Sequence, residues 1–335
     1  MPRKIHGART MRKNPKTYPL APIAANRVYH TAFALLAATI ADALFKVRNK
    51  FRIGIDLMGG DNPPEAILNS LKNLPSHVVA IPIGLEQFAS ADFEYCIAPE
   101  FISMDESPLI ALRKKRKSSL STGLRMLANR EIDAFISSGN TGALVSASKM
   151  ILGTLPSIQR PALLAQIPTK KNPIAVLDVG ANVQTRASHL VQFAHLGAAF
   201  CHKKGIVQPR VGLLNIGSEP IKGTSELRLA YQKLATLPNP PFTFVGNIEG
   251  KTVFDGHIDV LVTDGFTGNI FLKTAEGAVG LALSQFQAQL SKQQMKALHP
   301  QTGAILSGVK GLVIKCHGYA PPEAFVNAAL SITET

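Results

Sequence analysis

The segment Phe135-Ile-Ser-Ser-Gly-Asn-Thr-Gly142 is an apolar run that stops at a small polar loop, and a helical pattern follows it. A buried strand is predicted to end here, because glycines let the backbone turn with positive φ and the next helix opens with free N–H groups. Three further segments repeat the design: Ile53-Gly-Ile-Asp-Leu-Met-Gly-Gly-Asp61, Val176-Leu-Asp-Val-Gly-Ala-Asn182 and Leu261-Val-Thr-Asp-Gly-Phe-Thr-Gly-Asn269. One such loop is equally typical of an ordinary capped turn. Four of them predict a sheet whose loops converge on an anion, with phosphate as the expected ligand.

Around these segments, apolar runs rich in Val, Ile and Leu alternate with helical patterns. This alternation predicts an α/β fold with a parallel sheet covered by helices on both faces. The predicted strands are 53–57, 78–83, 93–96, 134–137, 174–178, 210–215, 242–245, 260–263 and 311–315. The predicted helices are 64–73, 108–113, 118–129, 143–152, 188–202, 225–236 and 269–292.

Composition narrows the class of protein. The 335 residues are 46% hydrophobic and 17% charged, so the chain can bury a large core and is neither disordered nor fibrous. Its three cysteines show no CxxC spacing, which favours a reducing compartment and predicts neither a disulfide framework nor a zinc site. The net charge is +14, but without a basic face interleaved with aromatics or a recognisable module, nucleic-acid binding is not predicted.

The first fifty residues differ from the rest of the chain. They hold ten Lys or Arg against one acid, Asp42, and are predicted to form a basic extension (1–50) ahead of one domain (51–335). Apolar residues at steps of three and four predict an amphipathic helix at about 29–47, which is too short to span a membrane. Three interpretations stay open: a helix lying on an anionic membrane, a targeting segment, or extra residues from an upstream start site.

The site residues predict chemistry without a nucleotide or a metal. The Ser138 loop is followed by no Gly-Lys-Ser/Thr and is no GxGxxG fingerprint, and no GxSxG elbow or reactive-cysteine context occurs. Lys222, between Ile221 and Gly223 in a loop that follows an apolar run, is a candidate phosphate or oxyanion ligand. The basic run Arg113-Lys-Lys-Arg-Lys117 is either a solvated face or a surface for phosphate or an acidic carrier. Such a site works by orientation and electrostatic stabilisation, and phosphate itself can be the attacking group.

The motifs together resemble the bacterial phosphate acyltransferases of phospholipid synthesis (PlsX type), in order from about Arg52 to Ala329. The resemblance is carried by Asp56-Leu-Met-Gly-Gly-Asp61, Ser138-Gly-Asn-Thr-Gly-Ala143, Arg160-Pro-Ala162, Leu177-Asp-Val-Gly-Ala-Asn182, His189-Leu-Val-Gln-Phe193, Val211-Gly-Leu-Leu-Asn-Ile-Gly217, Lys222-Gly223, Asp264-Gly-Phe-Thr-Gly-Asn269, Leu272-Lys-Thr274 and His317-Gly318.

The resemblance implies a three-layer α/β/α fold with a mostly parallel sheet, similar to phosphotransacetylases and isocitrate dehydrogenase-like enzymes. It also implies a reaction: acyl-acyl carrier protein plus inorganic phosphate gives acyl phosphate and free carrier. A downstream glycerol-3-phosphate acyltransferase then uses the product. The family works as a cytoplasmic homodimer that contacts the membrane peripherally, and no cofactor is expected.

Residue by residue, the resemblance makes Lys222 and Asn269 the catalytic candidates. Lys222 would hold phosphate or the oxyanion, and Asn269 would orient the thioester carbonyl or phosphate. The expected site-lining positions are Asp56, Gly59, Gly60, Asp61, Ser138, Asn140, Thr141, Asp178, Asn182 and His317. Asp178 and Asp264 have an equally good alternative role as carboxylates that brace their loops.

The sequence departs from the family pattern in the N-terminal extension, in a shortened region between Gly277 and Thr302, and in Gln301-Thr-Gly-Ala304 and His317-Gly-Tyr-Ala320. These departures bear on acyl-chain handling and on membrane or dimer contacts. Two alternatives follow: a phosphotransacetylase-like enzyme that uses acyl-coenzyme A, and a non-catalytic membrane-docking relative.

Overall fold

A computed structural model of the chain describes residues 50–286, 290–291 and 303–333. Within these residues, eleven strands form one sheet in the order β3-β2-β1-β4-β11-β10-β5-β6-β9-β7-β8. The strands are β1 (Phe51–Asp56), β2 (Val78–Gly84), β3 (Cys96–Ile97), β4 (Ala134–Ser137), β5 (Ala162–Ile167), β6 (Ile174–Leu177), β7 (Arg210–Asn215), β8 (Thr243–Glu249), β9 (Val260–Val262), β10 (Ala304–Ser307) and β11 (Leu312–Lys315).

The helices begin at residues that suit a helix N-terminus. They are α1 (Pro64–Leu71), α2 (Pro108–Lys114), α3 (Ser119–Ala128), α4 (Thr141–Ile151), α5 (Ala187–Lys203), α6 (Ser225–Ala235), α7 (Gly265–Phe286) and α8 (Glu323–Thr333). Proline opens α1 and α2, where its missing N–H group has no intrahelical partner to lose. The hydroxyls of Ser118 and Thr224 accept backbone N–H groups at the starts of α3 and α6.

Helices cover both faces of the sheet, so the predicted three-layer α/β/α fold is confirmed. One face packs against α2, α3, α4 and α7 through a single core that includes Phe135, Leu124 and Leu272. The other face has two separate cores, one around Phe325 of α8 and one around Phe193 of α5. Each fully buried side chain of this size contributes about 1.5–3 kcal/mol, so these cores hold the layers together.

The sheet is made of two parallel groups that run in opposite directions. The strands β3, β2, β1, β4 and β11 are parallel to one another, as are β6, β9, β7 and β8. Between the groups, β10 is antiparallel to both of its neighbours and β5 is antiparallel to β6. The carboxyl ends of the two groups therefore point in opposite directions along the strands. We call them the first edge (after β1, β4 and β11) and the second edge (after β6, β9 and β7).

The element predictions are right for most strands, but they lack β5 and β10, the two strands at which the sheet reverses, and they lack α8. The predicted strand at 93–96 is only Cys96–Ile97. The predicted start of α7 at residue 269 is wrong, because α7 begins at Gly265. The predicted extension at 1–50 lies outside the described residues except for Lys50, so the helix at 29–47 stays a prediction.

Candidate functional site

Three strands of the first edge end in register. Asp56 of β1 and Lys315 of β11 both pair with Ser137 of β4, the strand between them. Residues in one row of adjacent parallel strands project to the same face of a sheet. The three side chains therefore form one buried polar row directly beneath the Ser138–Gly142 loop, with Asp56 1% exposed and Lys315 8% exposed.

Asp56 is held by donors from three elements. Its Oδ2 accepts the Ser137 hydroxyl at 2.7 Å and its Oδ1 accepts the backbone N–H of Met58 at 3.1 Å. Burial disfavours the charged carboxylate and raises its pKa to about 6, although hydrogen bonds from Ser119 and Ser137 and the charge of Lys315 act in the opposite direction. Asp56 therefore titrates close to neutral pH.

Lys315 is a buried cation that sequence reasoning did not select. Its Nζ donates to the backbone carbonyl of Ser138 at 2.9 Å and to that of Cys316. Burial lowers its pKa to about 8, while the nearby Asp56 and Asp61 favour its charged form. The sequence does contain one indication of this residue, a lysine directly after the apolar run 312–314. A charged side chain at the end of a central strand becomes buried when loops pack over it.

Glycines bring the first-edge loops into contact. Gly59 has φ +78°, and a Cβ at this position would lie 2.5 Å from the carbonyl oxygen of Ile102. A Cβ at Gly60 would overlap the hydroxyl of Ser138, so only glycine allows these two loops to touch. The backbone N–H of Asp61 donates to the carbonyl of Gly318 at 3.0 Å. The predicted site residues of the 59–61, 138–141 and 317–318 segments thus lie together at the first edge.

Asn140 and Thr141 form the N-terminus of α4. The Asn140 Oδ1 accepts the backbone N–H of Ala143 at 3.0 Å, which is an N-cap, and its Nδ2 donates to the carbonyls of Met104 and Glu106 at 3.1 Å each. Thr141 is the first residue of the helix. The Asn140 amide is therefore engaged in holding the loop and the 104–106 segment together.

At the second edge, Asp178 is fully buried and braces its loop. Its Oδ1 accepts the backbone N–H groups of Leu163, Gly180 and Ala181, and its Oδ2 accepts the backbone N–H and the Nδ2 of Asn182. The Asn182 Nδ2 also donates to the carbonyl of Pro161 at 2.8 Å. Burial raises the pKa of Asp178 against the effect of these hydrogen bonds. The geometry favours the bracing role over direct chemistry.

The segment from Asp264 to Asn269 is the first turn of α7 and not a loop. Asp264 caps the helix, because its two carboxylate oxygens accept the N–H and the hydroxyl of Thr267 at 2.8 Å each. Gly268 lies so close to the carbonyl oxygen of Asp178 that a Cβ would overlap it. The Asn269 side chain faces Gly180, since a Cβ on that glycine would lie 3.7 Å from the Asn269 Oδ1.

Lys222 is exposed in the loop that follows β7. The loop is held by the Asn215 Nδ2, which donates to the Lys222 carbonyl at 3.1 Å, and by Gly223 at φ +86°. The Lys222 ammonium makes no ion pair with another described residue. Because β7 and β9 are neighbours, Lys222 and Asn269 lie on adjacent exits of the second edge.

The four predicted loops fall into two pairs. Those of Asp56 and Ser138 lie at the first edge, whereas those of Asp178 and Asn269 lie at the second. The ends of β11 and β6 lie in one row of paired residues, which runs through Ile314, Ile305, Leu164 and Leu177. With about 4.8 Å between neighbouring strands, these two strand ends are about 14 Å apart across the sheet.

Helix α7 connects the two edges. It begins at the Asp178 loop, where the N–H of Gly265 donates to the Asn182 carbonyl at 2.8 Å. Further along, Glu276 contacts the Nε2 of His317 at 3.1 Å, and the His317 ring stacks on Tyr319. Between these contacts, Lys273 lies within electrostatic range of Lys315. The arrangement has a helix N-terminus with a glycine loop at one edge, an exposed cation and an amide at the other, and one helix between them.

The fold is that of the phosphotransacetylases, a class of α/β/α enzymes. The structure is similar to an EutD phosphotransacetylase from Staphylococcus aureus, with a TM-score of 0.58 at 16% identity over 89% of this chain and 97% of that one. It is also similar to a branched-chain phosphotransacylase from Enterococcus faecalis, with a TM-score of 0.59 at 14% identity over 84% and 98% of the two chains.

Sequence comparison is more specific. A family model described as "Fatty acid synthesis protein" matches residues 51–333. The chain is 41% identical over 293 residues to a phosphate acyltransferase of Chlamydia pneumoniae, covering 80% of this chain and 90% of that protein. It is 38% identical over 301 residues to one of Thermotoga maritima, covering 83% and 90%. The chain belongs to this phosphate acyltransferase family of fatty acid and phospholipid synthesis, and it is a transferase.

Proposed function

We propose that this phosphate acyltransferase takes its fatty acyl group from acyl-acyl carrier protein. An oxygen of inorganic phosphate attacks the thioester carbonyl carbon, the new C–O bond forms, and the C–S bond breaks. The proton of hydrogen phosphate passes to the leaving sulfur, so that the products are acyl phosphate and the free thiol of the carrier. The acyl phosphate then supplies glycerol-3-phosphate acylation in phosphatidic acid synthesis.

The observation that carries the proposal is the pair of polar groups at the second edge. Lys222 is exposed without an ion-pair partner, and Asn269 makes no side-chain hydrogen bond to another described residue. In our proposal, Lys222 stabilises the phosphate or the oxyanion of the tetrahedral intermediate, and Asn269 orients the thioester carbonyl. Charged and amide donors fixed at such positions stabilise the charge that develops in acyl transfer.

Phosphate is proposed to bind at the Ser138–Gly142 loop. The Ser138 and Thr141 hydroxyls, the N-terminus of α4 and the neighbouring Gly59, Gly60 and Asp61 are the groups available there. Helix N-termini favour anions because their first N–H groups lack intrahelical partners. His317 lies beside this loop and contacts α7, which makes it a proposed site-lining residue.

An acidic carrier protein is the proposed donor because a basic surface borders the phosphate loop. Arg113 and Lys114 at the end of α2 and Arg116 and Lys117 in the segment after it are exposed. Leu109 and Ile110 of α2 are 57% and 56% exposed. Helix α2 touches the loop, since a Cβ on Gly142 would lie 2.7 Å from the Pro108 ring. Positive surfaces raise the association rate of negative partners, so a carrier bound here would bring its thioester close to the loop.

A homodimer with peripheral contact to the cytoplasmic membrane face is proposed from α7. This helix has 22 residues, of which only Gly265, Gly268 and Leu272 are buried among those that the structure describes. Four large apolar side chains on it are about half exposed or more: Phe266, Ile270, Leu281 and Phe286. Exposed apolar surface of this extent marks a protein or membrane contact. Over the described residues, no helix combines the length and the apolar character that a membrane span requires.

The donor is tested by incubating the purified protein with phosphate and either palmitoyl–carrier protein or an acyl-coenzyme A, and trapping acyl phosphate as hydroxamate with hydroxylamine. We expect hydroxamate with the carrier-bound donor and at least tenfold less with acyl-coenzyme A. Equal or better use of acyl-coenzyme A would instead indicate a phosphotransacetylase-like donor. No hydroxamate above a no-enzyme control with either donor would overturn the proposed function.

A further inference from the structure

The buried lysine of the first edge lies directly under the loop to which phosphate is assigned. The Lys315 Nζ is 2.9 Å from the carbonyl oxygen of Ser138, the residue that opens the loop. The other end of the same peptide group is also fixed, because the N–H of Gly139 donates to the Ser137 hydroxyl at 3.1 Å, and that hydroxyl donates to Asp56. Both ends of the Ser138–Gly139 peptide are thereby held by side chains of this row: the carbonyl by Lys315 and the N–H by Ser137.

This orientation has a consequence for the rest of the loop. With the Ser138 carbonyl bound to the Lys315 ammonium, its oxygen is engaged by a cation inside the protein and is not free to turn toward an anion at the loop, which its lone pairs would repel. A buried ammonium is also costly unless it is paired and hydrogen-bonded. Packing alone does not explain a lysine here, because a methionine or leucine would fill the same space without that cost.

We propose that Lys315 is a positioning residue for phosphate: it holds the Ser138–Gly142 loop in its anion-binding conformation, and its charge, balanced by Asp56, favours an anion above the loop. The inference rests on the proposed function, in which phosphate binds at this loop. It adds a residue at the first edge, whereas Lys222 and Asn269 lie at the second.

The charged groups facing Lys315 define its pH dependence. Asp56 approaches from β1 and Asp61 from the loop after it, Lys273 from α7, and the Cys316 thiol is the next residue of its own segment. Because the pKa of Lys315 is about 8, its charge is present below that pH and is lost above it. Above pH 8 the neutral amine no longer offsets Asp56, so phosphate binding should weaken.

The test is phosphate affinity, measured by titration calorimetry with inorganic phosphate alone and by the KM for phosphate in the acyl-transfer assay. For Lys315→Met we expect about tenfold weaker phosphate binding, a change of less than twofold in the KM for the acyl donor, and no further weakening between pH 7.5 and 9. Lys315→Arg, which keeps the charge across this range, should recover part of the affinity and also lack the alkaline weakening. Exposed Lys310→Met is the matched control and should behave as wild type.

Unchanged phosphate affinity in folded Lys315→Met would overturn the proposal and leave the acyl transfer intact. If that variant does not fold, Lys315→Gln serves in its place, because its amide still donates to the Ser138 carbonyl but carries no charge. The wild-type protein provides a separate test, in which its phosphate affinity is divided by that of Lys315→Arg at each pH from 7.5 to 9. A ratio that does not fall over this range would also overturn the proposal. Failure of acyl transfer while Lys315→Met still weakens phosphate binding would overturn the proposed reaction alone.

Discussion

The two edges of the sheet bury a carboxylate in different ways. Asp178 at the second edge is satisfied by five N–H donors from its own loop and from β5. Asp56 at the first edge accepts fewer hydrogen bonds and faces the ammonium group of Lys315. The second edge uses its carboxylate to brace a loop, and the proposed catalytic residues Lys222 and Asn269 lie outside that network. The first edge keeps two facing charges beside the loop at which phosphate is proposed to bind.

The largest effect is expected where α7 touches the second edge. Gly268→Ala places a methyl group on the carbonyl oxygen of Asp178, and neither the helix nor the braced loop can move without losing hydrogen bonds. We expect a loss of about 3 kcal/mol or more in the free energy of unfolding, measured by urea denaturation. Gly277→Ala, in the same helix with no atom within 4 Å of the new Cβ, should stabilise the protein by about 0.5–1 kcal/mol. Equal effects of the two changes would contradict the close contact.

The next effect concerns the buried charge of the first edge. The pKa of Asp56 in the folded protein is about 6, above its ordinary value of 3.8. The folded state therefore binds this proton more tightly than the unfolded state does. The resulting stabilisation is complete below pH 3.8 and is lost as the pH rises through 6. A shift of that size corresponds to about 3 kcal/mol. Asp56→Asn should therefore show a smaller fall in the free energy of unfolding between pH 4 and 7 than wild type, by urea denaturation across that range. Exposed Asp105→Asn should retain the wild-type slope, and a wild-type slope in Asp56→Asn would argue against burial of this charge.

An effect of similar free energy, on catalysis and not on stability, is expected when the exposed Lys222 of the second edge is replaced. Lys222→Met should lower kcat/KM about a hundredfold, or about 2.7 kcal/mol, because a preorganised positive group near the developing charge is removed. The melting temperature should change little, since the side chain is exposed. The exposed Lys233→Met is the control for general loss of surface charge. Full activity in the Lys222 variant would remove Lys222 from the catalytic assignment.

The smallest effect is expected at the contact by which α7 reaches the first edge. The Glu276 carboxylate and the His317 ring are both partly exposed at 3.1 Å, and such surface pairs contribute about 0–1 kcal/mol. Glu276→Gln keeps a hydrogen-bond acceptor and should cost less than about 1 kcal/mol by thermal unfolding. A loss of several kcal/mol would instead show that this contact couples the two edges strongly.

Local sequence predicts much of the molecule because its signals depend on a few neighbouring residues. The apolar runs of β4 and β7 are predicted at the right residues, and the capping residues before α3, α4 and α6 follow from side chains that accept nearby N–H groups. The strands β5 and β10 escape prediction, although both are apolar at most positions. Their short apolar segments carry no mark of antiparallel pairing.

Some features of the candidate site are also predicted from local sequence, and others are not. The residue types of the glycine loops predict anion binding, and the structure supplies the φ values and close approaches that require glycine at Gly59 and Gly60. The convergence of the four loops on one anion stays a prediction, because two strands reverse the sheet between one pair of loops and the other. Lys315 escapes notice because its burial depends on the strands and loops packed around it, which its position at the end of an apolar run does not by itself reveal.

The sequence by itself determines the loops, the caps, the class of fold and, through its resemblance, the family, because these depend on residue types at fixed local spacing. Only the tertiary structure decides which loops share an edge, because that follows from strand order and direction, which are set by packing over the whole sheet. It also decides that Asp56, Ser137 and Lys315 form one buried row, since three segments far apart in the chain must first pair in register. Burial then gives those two charges a titration near neutral pH, which residue identity alone does not predict.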